Sequence, residues 1–183
     1  MAVAAGCCLF DTAVGRCGIA WTPAGAIQAV QLPEADEAGT LVRLQRRCGA
    51  QAVSVPPPPV RDVIARLQSA LAGRHDALLD VPIDWVGVAP FARRVYEAAR
   101  AIAPGQVRTY GELARALGEP GAARAVGQAL GHNPFAPLVP CHRILAARGA
   151  AGGFSAEGGT RTKLRLLEIE GAALGGPDPG LFD

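Results

Sequence analysis

The sequence contains no run near the ~18 consecutive apolar residues that a membrane-spanning helix needs, so a spanning helix is excluded by length. Its first residues, Met1-Ala2-Val3-Ala4-Ala5-Gly6-Cys7-Cys8, lack the basic stretch that opens a secretory signal. No C-x-x-C pair occurs. The five cysteines (Cys7, Cys8, Cys17, Cys48 and Cys141) are odd in number and show no framework-like spacing, which argues against a disulfide scaffold. Cys7 and Cys8, if placed on a strand, would point to opposite faces, a poor start for a metal cluster. These absences lead to the expectation of a soluble, cytoplasmic protein with reduced thiols, no cofactor and no structural zinc.

What is present is enough apolar material for a core: 183 residues, 50% hydrophobic, a length that suits one large domain or two small ones. The formal net charge of +2 hides an uneven distribution. Residues 88–171 hold eleven Lys and Arg against six Asp and Glu, whereas residues 1–87 hold seven against eight. A moderately basic second half is compatible with contact to a phosphate backbone, and equally with ordinary solvated surface charge.

From Cys7 to Leu32 short apolar runs alternate with Gly and Pro, which predicts two or three antiparallel strands joined by turns. Leu41, Leu44 and Cys48 recur at helical spacing, with Arg43, Arg46 and Arg47 at other positions. Pro56 to Pro59 lead into a second helix carrying Val60, Ile64, Leu67 and Leu71, the last proline sitting where a helix tolerates one. Ala77 to Trp85 reads as an edge strand interrupted by Pro82, with a first domain ending near Gly87. Phe91, Val95, Ala98 and Ile102 line a third helix that Pro104-Gly105 stops.

Thr109-Tyr110-Gly111-Glu112 has the T-x-x-E form of a capping box. It starts a short helix that ends at Gly118, and Glu119-Pro120 turns the chain into a second helix over residues 121–130, which Gly131 can close. The result is a helix-turn-helix pattern. On that second helix Ala122, Ala123, Ala125, Gly127 and Ala129 surround Arg124, its one charged residue. A buried helix packed backbone to backbone would account for the small residues, but burying an unpaired Arg among them is costly. A nucleic-acid groove accounts for both. No long basic recognition face is present, so base-by-base reading of the major groove is not expected.

Val139-Pro140-Cys141-His142-Arg143-Ile144 is the most chemically pointed stretch. Pro140 fixes its own φ and offers no N–H, so the chain reaches Cys141 stiffly. A free thiol titrates near ~8.5, and neighbouring His or Arg can lower that value, which makes Cys141 a candidate nucleophile in thiolate form. A cysteine packed as a small hydrophobe is the competing reading. Beyond it, Gly149 to Gly159 forms a Gly-rich loop carrying Phe154 and Ser155, and Thr160 to Glu170 a helix with Leu164 and Leu167 inward. Residues 172–183 read as a flexible tail.

Thr109-Tyr110-Gly111-Glu112-Leu113-Ala114, Ala123-Arg124-Ala125-Val126-Gly127, Asn133-Pro134, Pro140-Cys141-His142-Arg143 and Glu170-Gly171, in this order and spacing, resemble the O6-alkylguanine-DNA alkyltransferases. The resemblance covers nearly all of the second half; the first half resembles the family only in size and element order. It implies a two-domain α/β (α+β) fold, with a ribonuclease H-like N-terminal domain over residues 1–87. A mainly helical, winged helix-turn-helix-like domain would cover residues 88–171. It implies a monomer that moves an alkyl group from guanine O6 in double-stranded DNA, with O4-alkylthymine as a further candidate lesion, onto Cys141, once per molecule.

In that reading His142 activates Cys141 through a water, Glu170 orients His142, and Asn133 holds the cysteine loop. Tyr110 hydrogen-bonds the flipped base, and Arg124 fills the gap left in the stack. Ala123, Ala125, Gly127, Thr109 and Arg143 contact DNA, the small-residue helix lying in the minor groove. Leu130, Phe154 and Ser155 line the alkylguanine pocket.

Phe154 stands where the family more often has tyrosine, and the Ser155 to Gly159 segment is two residues longer than the commoner form, bringing Glu157 to the pocket rim. The histidines of the family's zinc site are missing from the first half. Three other functions remain to be distinguished: a non-enzymatic alkyltransferase-like DNA-lesion binder, a helix-turn-helix regulator and a Cys-His hydrolase.

Overall fold

The computed structural model describes residues 4–50, 53–150 and 152–172, so the expected tail falls almost wholly outside the described residues. Three antiparallel strands open the chain: β1 (Gly6–Thr12), β2 (Gly15–Trp21) and β3 (Ile27–Gln31), in that order in the sheet. Cys7 pairs with Ala20 and Thr12 with Gly15, and the Thr12 hydroxyl donates to the Gly15 carbonyl at 2.6 Å to close the hairpin. Alternation along the strands sends side chains to two faces. Cys8, Phe10, Cys17, Ile19 and Trp21 enter the main core, while Cys7 and Ala20 face a smaller cluster with Leu44 and Cys48.

That smaller cluster is closed by α1 (Glu37–Cys48), whose Thr40, Leu44 and Cys48 are buried at helical spacing. The Asp36 carboxylate caps its N-terminus, accepting from the Gly39 N–H at 2.7 Å, and Gly49 ends it in the left-handed region. Gly18 on β2 lets the helix lie this close: a Cβ there would sit 2.9 Å from Leu44 Cδ2 and 3.3 Å from Leu9 Cδ2. On the other face, α2 (Pro58–Leu71) buries Val60, Val63, Leu67 and Leu71, and begins on prolines where the missing N–H costs nothing.

Ala77 to Trp85 does not form the expected edge strand. A single bridge, Ile27 to Ile83, is all that joins it to the sheet among the described residues. The backbone groups are spent elsewhere: the Arg100 guanidinium takes the carbonyls of Leu78, Leu79 and Val81 at 2.7, 2.9 and 3.1 Å. Pro82 has no N–H, Leu78 is turned to φ 53°, and Arg66 grips both Asp76 and Asp80. Charged side chains, with only the two backbone bonds of Ile27 from β3, hold this connector.

Helices dominate the second half: α3 (Pro90–Arg100), α4 (Tyr110–Ala116), α5 (Ala123–Gly131) and α6 (Thr160–Ile169). The stripe that α3 buries is Val95, Tyr96 and Ala99, continued by Ile102, with Ala98 only partly covered. At α4 the capping box forms on both sides: the Thr109 hydroxyl accepts from the Glu112 N–H at 3.2 Å, and Glu112 Oε2 accepts from the Thr109 N–H at 2.6 Å. Short parallel strands β4 (Arg108–Thr109) and β5 (Ile144–Leu145) tie the start of α4 to the chain just after Cys141. Helix α6 has a different phase from the one expected: Leu164 is 38% exposed, and Lys163, Leu166 and Leu167 point inward.

The structure is thus a mixed α/β arrangement in which one buried cluster runs from the sheet through α2 and α3 to Cys141. Among the described residues no helix is long and apolar enough to cross a membrane. Because the Asp36 cap satisfies an N-terminal N–H of α1, Asp36→Ala should lower stability by about 1 kcal/mol in urea unfolding.

Candidate active site

Cys141, His142 and Arg143 form a single 3₁₀ turn directly before β5, and all three are buried. Asn133, also buried, shapes the approach to this turn: its Nδ2 donates to the Val139 carbonyl at 2.8 Å, and its Oδ1 accepts from the Phe135 N–H at 2.9 Å. Cys141 lines a cavity of about 370 Å³ together with Tyr110, Gly127, Leu130, Gly131, Gly153, Phe154 and Ser155. That volume suits a small molecule or a single base. Tyr110 enters as the first residue of α4, Gly127 and Leu130 from α5, and the aromatic wall from the Gly-rich loop.

Behind the sulfur lies a hydrogen-bonded ionic cluster. Glu170, at the end of α6, accepts from His142 Nε2 at 2.9 Å and from Arg143 Nη2 at 2.8 Å, both on Oε1. Its Oε2 accepts from Arg143 Nε at 3.0 Å and from the Gly105 N–H at 3.3 Å. Gly105 is required at this approach, since its φ is +82° and a Cβ would lie 3.1 Å from the Glu170 carbonyl oxygen. Burial by itself raises the Glu170 pKa, but the bonds from His142 and Arg143 outweigh it and hold the carboxyl at about 2. His142 is displaced downward, chiefly by burial, so the imidazole is neutral at pH 7.

A carboxylate can only accept, so neutral His142 carries its proton on Nε2 and leaves Nδ1 as a lone-pair acceptor. His142 Nδ1 is buried with no hydrogen-bond partner among the described residues.

Two expectations change here. Arg143, expected at the DNA, is 5% exposed; it pairs with Glu170 and donates to the Ile102 carbonyl. Cys141, expected as a thiolate beside Arg143, has its pKa raised: burial is the largest cause and outweighs the hydrogen bond from Asn133 and the charges of Lys163 and Arg47. At rest the group is a thiol.

One residue was missed. Lys163 is the chain's only lysine, and it is fully buried. Its Nζ donates to the Ile144 carbonyl and lies 5.7 Å from the centre of the Tyr110 ring. Burial lowers its pKa to about 8, against the opposing pull of Cys141. The signal was available: Lys163, Leu166, Leu167 and Glu170 share one helical face at i, i+3, i+4 and i+7. By contrast Arg124 and Ala125 are exposed on α5, Ala123 and Gly127 are partly so, and Thr109 is partly buried at the α4 cap.

The folded pKa values of Glu170 and His142 both lie below their unfolded values of ~4.3 and ~6.5. Each therefore contributes stability that is present above its unfolded pKa and is lost as pH falls toward the folded one. From Glu170 alone the loss should be on the order of 3 kcal/mol between roughly pH 4.5 and 2. In urea unfolding, Glu170→Gln should be less stable at pH 7 and show a flatter acid slope in that window.

A family model described as the DNA binding domain of 6-O-methylguanine DNA methyltransferase matches residues 90–172. The methylated-DNA–protein-cysteine methyltransferase of Mycobacterium tuberculosis is 50% identical over 91 residues, which cover 50% of this chain and 53% of that protein. Its counterpart from Salmonella typhimurium is 48% identical over 98 residues, covering 54% and 56%. The chain thus spans about half the length of the curated relatives it matches.

Solved structures match over more of the chain. The Mycobacterium tuberculosis OGT in complex with DNA superposes with a TM-score of 0.71 at 32% identity, covering 91% of this chain and 92% of that one. The O6-methylguanine-DNA methyltransferase of Pyrococcus kodakaraensis gives 0.69 at 30%, covering 91% and 99%. With such identity sustained across nearly the full length of solved relatives, the chain belongs to the O6-methylguanine DNA methyltransferase family.

Proposed function

We propose that this protein repairs DNA by moving an alkyl group from O6 of guanine in duplex DNA to Cys141, irreversibly and once per molecule. The observation that carries the reading is a buried cysteine lining a base-sized cavity, next in the chain to a neutral histidine whose Nδ1 has no partner among the described residues. Cys141 Sγ attacks the alkyl carbon; the S–C bond forms as the C–O6 bond breaks. The thiol proton passes through a water to His142 Nδ1, and Glu170 balances the imidazolium. The Tyr110 hydroxyl protonates the departing purine, so guanine leaves neutral, and the imidazolium proton returns to the tyrosinate through solvent. Glu170, already ionised, needs no proton change of its own.

O6 lies inside a duplex, so the base must be extruded at a cost of a few kcal/mol. Exposed Arg124 on α5 is the side chain suited to fill the stack, and the small outer surface of Ala123, Ala125 and Gly127 suits a minor groove. Thr109, which caps α4 beside Tyr110, is assigned a DNA contact in the same reading. Leu130, Phe154 and Ser155 hold the alkylated base. In this reading residues 88–171 form a winged helix-turn-helix-like domain, residues 1–87 a ribonuclease H-like partner to it, and the protein works as a monomer in the cell interior on double-stranded DNA. Cys141 in the acceptor position argues against the non-enzymatic lesion binder.

Mass spectrometry after incubation with duplex DNA carrying one O6-methylguanine should find a single added methyl on Cys141, and none in Cys141→Ala. Multiple turnover or unmodified protein would overturn the reading. Arg124→Ala should slow repair of duplex by on the order of tenfold or more, through the lost help with extrusion, while leaving reaction with free O6-benzylguanine near that of the wild type.

A further inference from the structure

Helix α1 lies far from the cysteine in sequence, yet two of its arginines, one turn apart, bond to the segments around Cys141, one to a residue lining the cavity and one to Asn133. Arg43 Nη2 donates to the Ser155 carbonyl at 3.0 Å, and Ser155 lines the cavity. Arg47 Nη1 donates to the carbonyl of Asn133 at 3.2 Å, and the Asn133 side chain holds the segment leading into Cys141.

Arg43 is set in place before it meets the loop. Its Nη1 pairs at 2.8 Å with Glu34, whose side chain is only 13% exposed. The same carboxylate oxygen accepts from buried Gln31 Nε2 at 2.8 Å, and the Glu34 N–H is bonded to buried Thr40 of α1. A guanidinium oriented this way loses little freedom on binding a carbonyl, and a charged donor makes the stronger class of hydrogen bond.

We propose that Arg43 and Arg47 are positioning residues for alkyl transfer, through which the N-terminal half holds the Ser155 rim and the Asn133 turn at the spacing the alkylated base requires. This rests on the alkyl-transfer reading above. Among the described residues, the backbone hydrogen bonds of residues 156–159 go to near neighbours, with the Thr162 hydroxyl bonded to the Glu157 carbonyl and Ala156 packed on the core, so the anchor from α1 adds a long-range bond to this rim. Arg47 also contributes charge. Asn133 hydrogen-bonds Cys141, and the titratable groups that interact with it electrostatically are Arg47 from α1, Tyr96 from α3, Tyr110 from α4 and Lys163 from α6, with His142 next in the chain. Arg47 and Lys163 are the cations among them that favour the thiolate.

Two measurements on the full-length protein test this. The first is the rate of Cys141 benzylation by free O6-benzylguanine, which needs no DNA. Arg43→Gln should slow it about tenfold, the equivalent of one charged hydrogen bond of ~1.4 kcal/mol, with Arg43→Lys intermediate and thermal midpoints unchanged. The second is the pH profile of Cys141 modification by iodoacetamide, located by mass, which does not depend on alkyl transfer. Arg47→Met should move its midpoint to higher pH, because a cation near the thiolate has been removed. A free-base rate within twofold of the wild type for Arg43→Gln overturns the proposal, as does an unmoved iodoacetamide profile for folded Arg47→Met. If instead the wild type accepts no benzyl group at all, it is the alkyl-transfer reading that fails.

Discussion

The carboxylate of Glu170 is the interaction on which the rest of the arrangement depends. It is brought to the interior by the end of α6 and is surrounded by His142, Arg143 and the Gly105 N–H. Taking an ion from water costs several kcal/mol, and only a full set of charged donors offsets that. The cost makes the geometry strict. Helix α6 must take the phase that turns residue 170 toward residue 142, which also brings Lys163 inward and turns Leu164 out. Gly105 must lack a side chain, and the cysteine turn must lie where its second and third residues meet the carboxylate. Cys141, the first residue of that turn, is thereby aimed into the cavity.

The same cluster governs the proton chemistry proposed for the site. Glu170 stays ionised and accepts a hydrogen bond from the Nε2–H of His142, so the available lone pair of the imidazole is on Nδ1. The thiol is protonated at rest, because burial outweighs the cations around it. A thiol of this kind is protected from adventitious alkylation and oxidation, since the thiolate is the reactive species. In the proposed reaction, reactivity is supplied when a base occupies the cavity and the proton has a path to His142. Both halves of the chain contribute: the main core is continuous from the sheet to Cys141, and arginines of α1 bond to the carbonyls of Ser155 at the cavity wall and of Asn133.

Much of this was legible in the sequence where the determining interactions are local. The capping box at Thr109 needs only residues three apart, and it forms as read. The first three strands and the helices after Pro56, before Pro104 and around Arg124 follow from periodicity and from Pro and Gly punctuation. The failures share a cause. The strand expected over Ala77 to Trp85 is absent because Arg100, more than a dozen residues onward, takes its carbonyls. Arg143 was read as a charge for Cys141 and for DNA because the sequence shows it beside the cysteine; its partner is Glu170. Lys163 was passed over although it is the chain's only lysine.

The sequence by itself determined the element types, the small outer face of α5 with its exposed Arg124, and the candidate nucleophile, because short-range sterics, capping and hydrophobic period act between near neighbours. Only the tertiary structure decided which cation pairs with which anion, which face of α6 turns inward, and that Cys141 rests as a thiol. Those outcomes depend on distances across the fold and on how much water is excluded at each charge, and neither quantity is written in the spacing of residues along the chain.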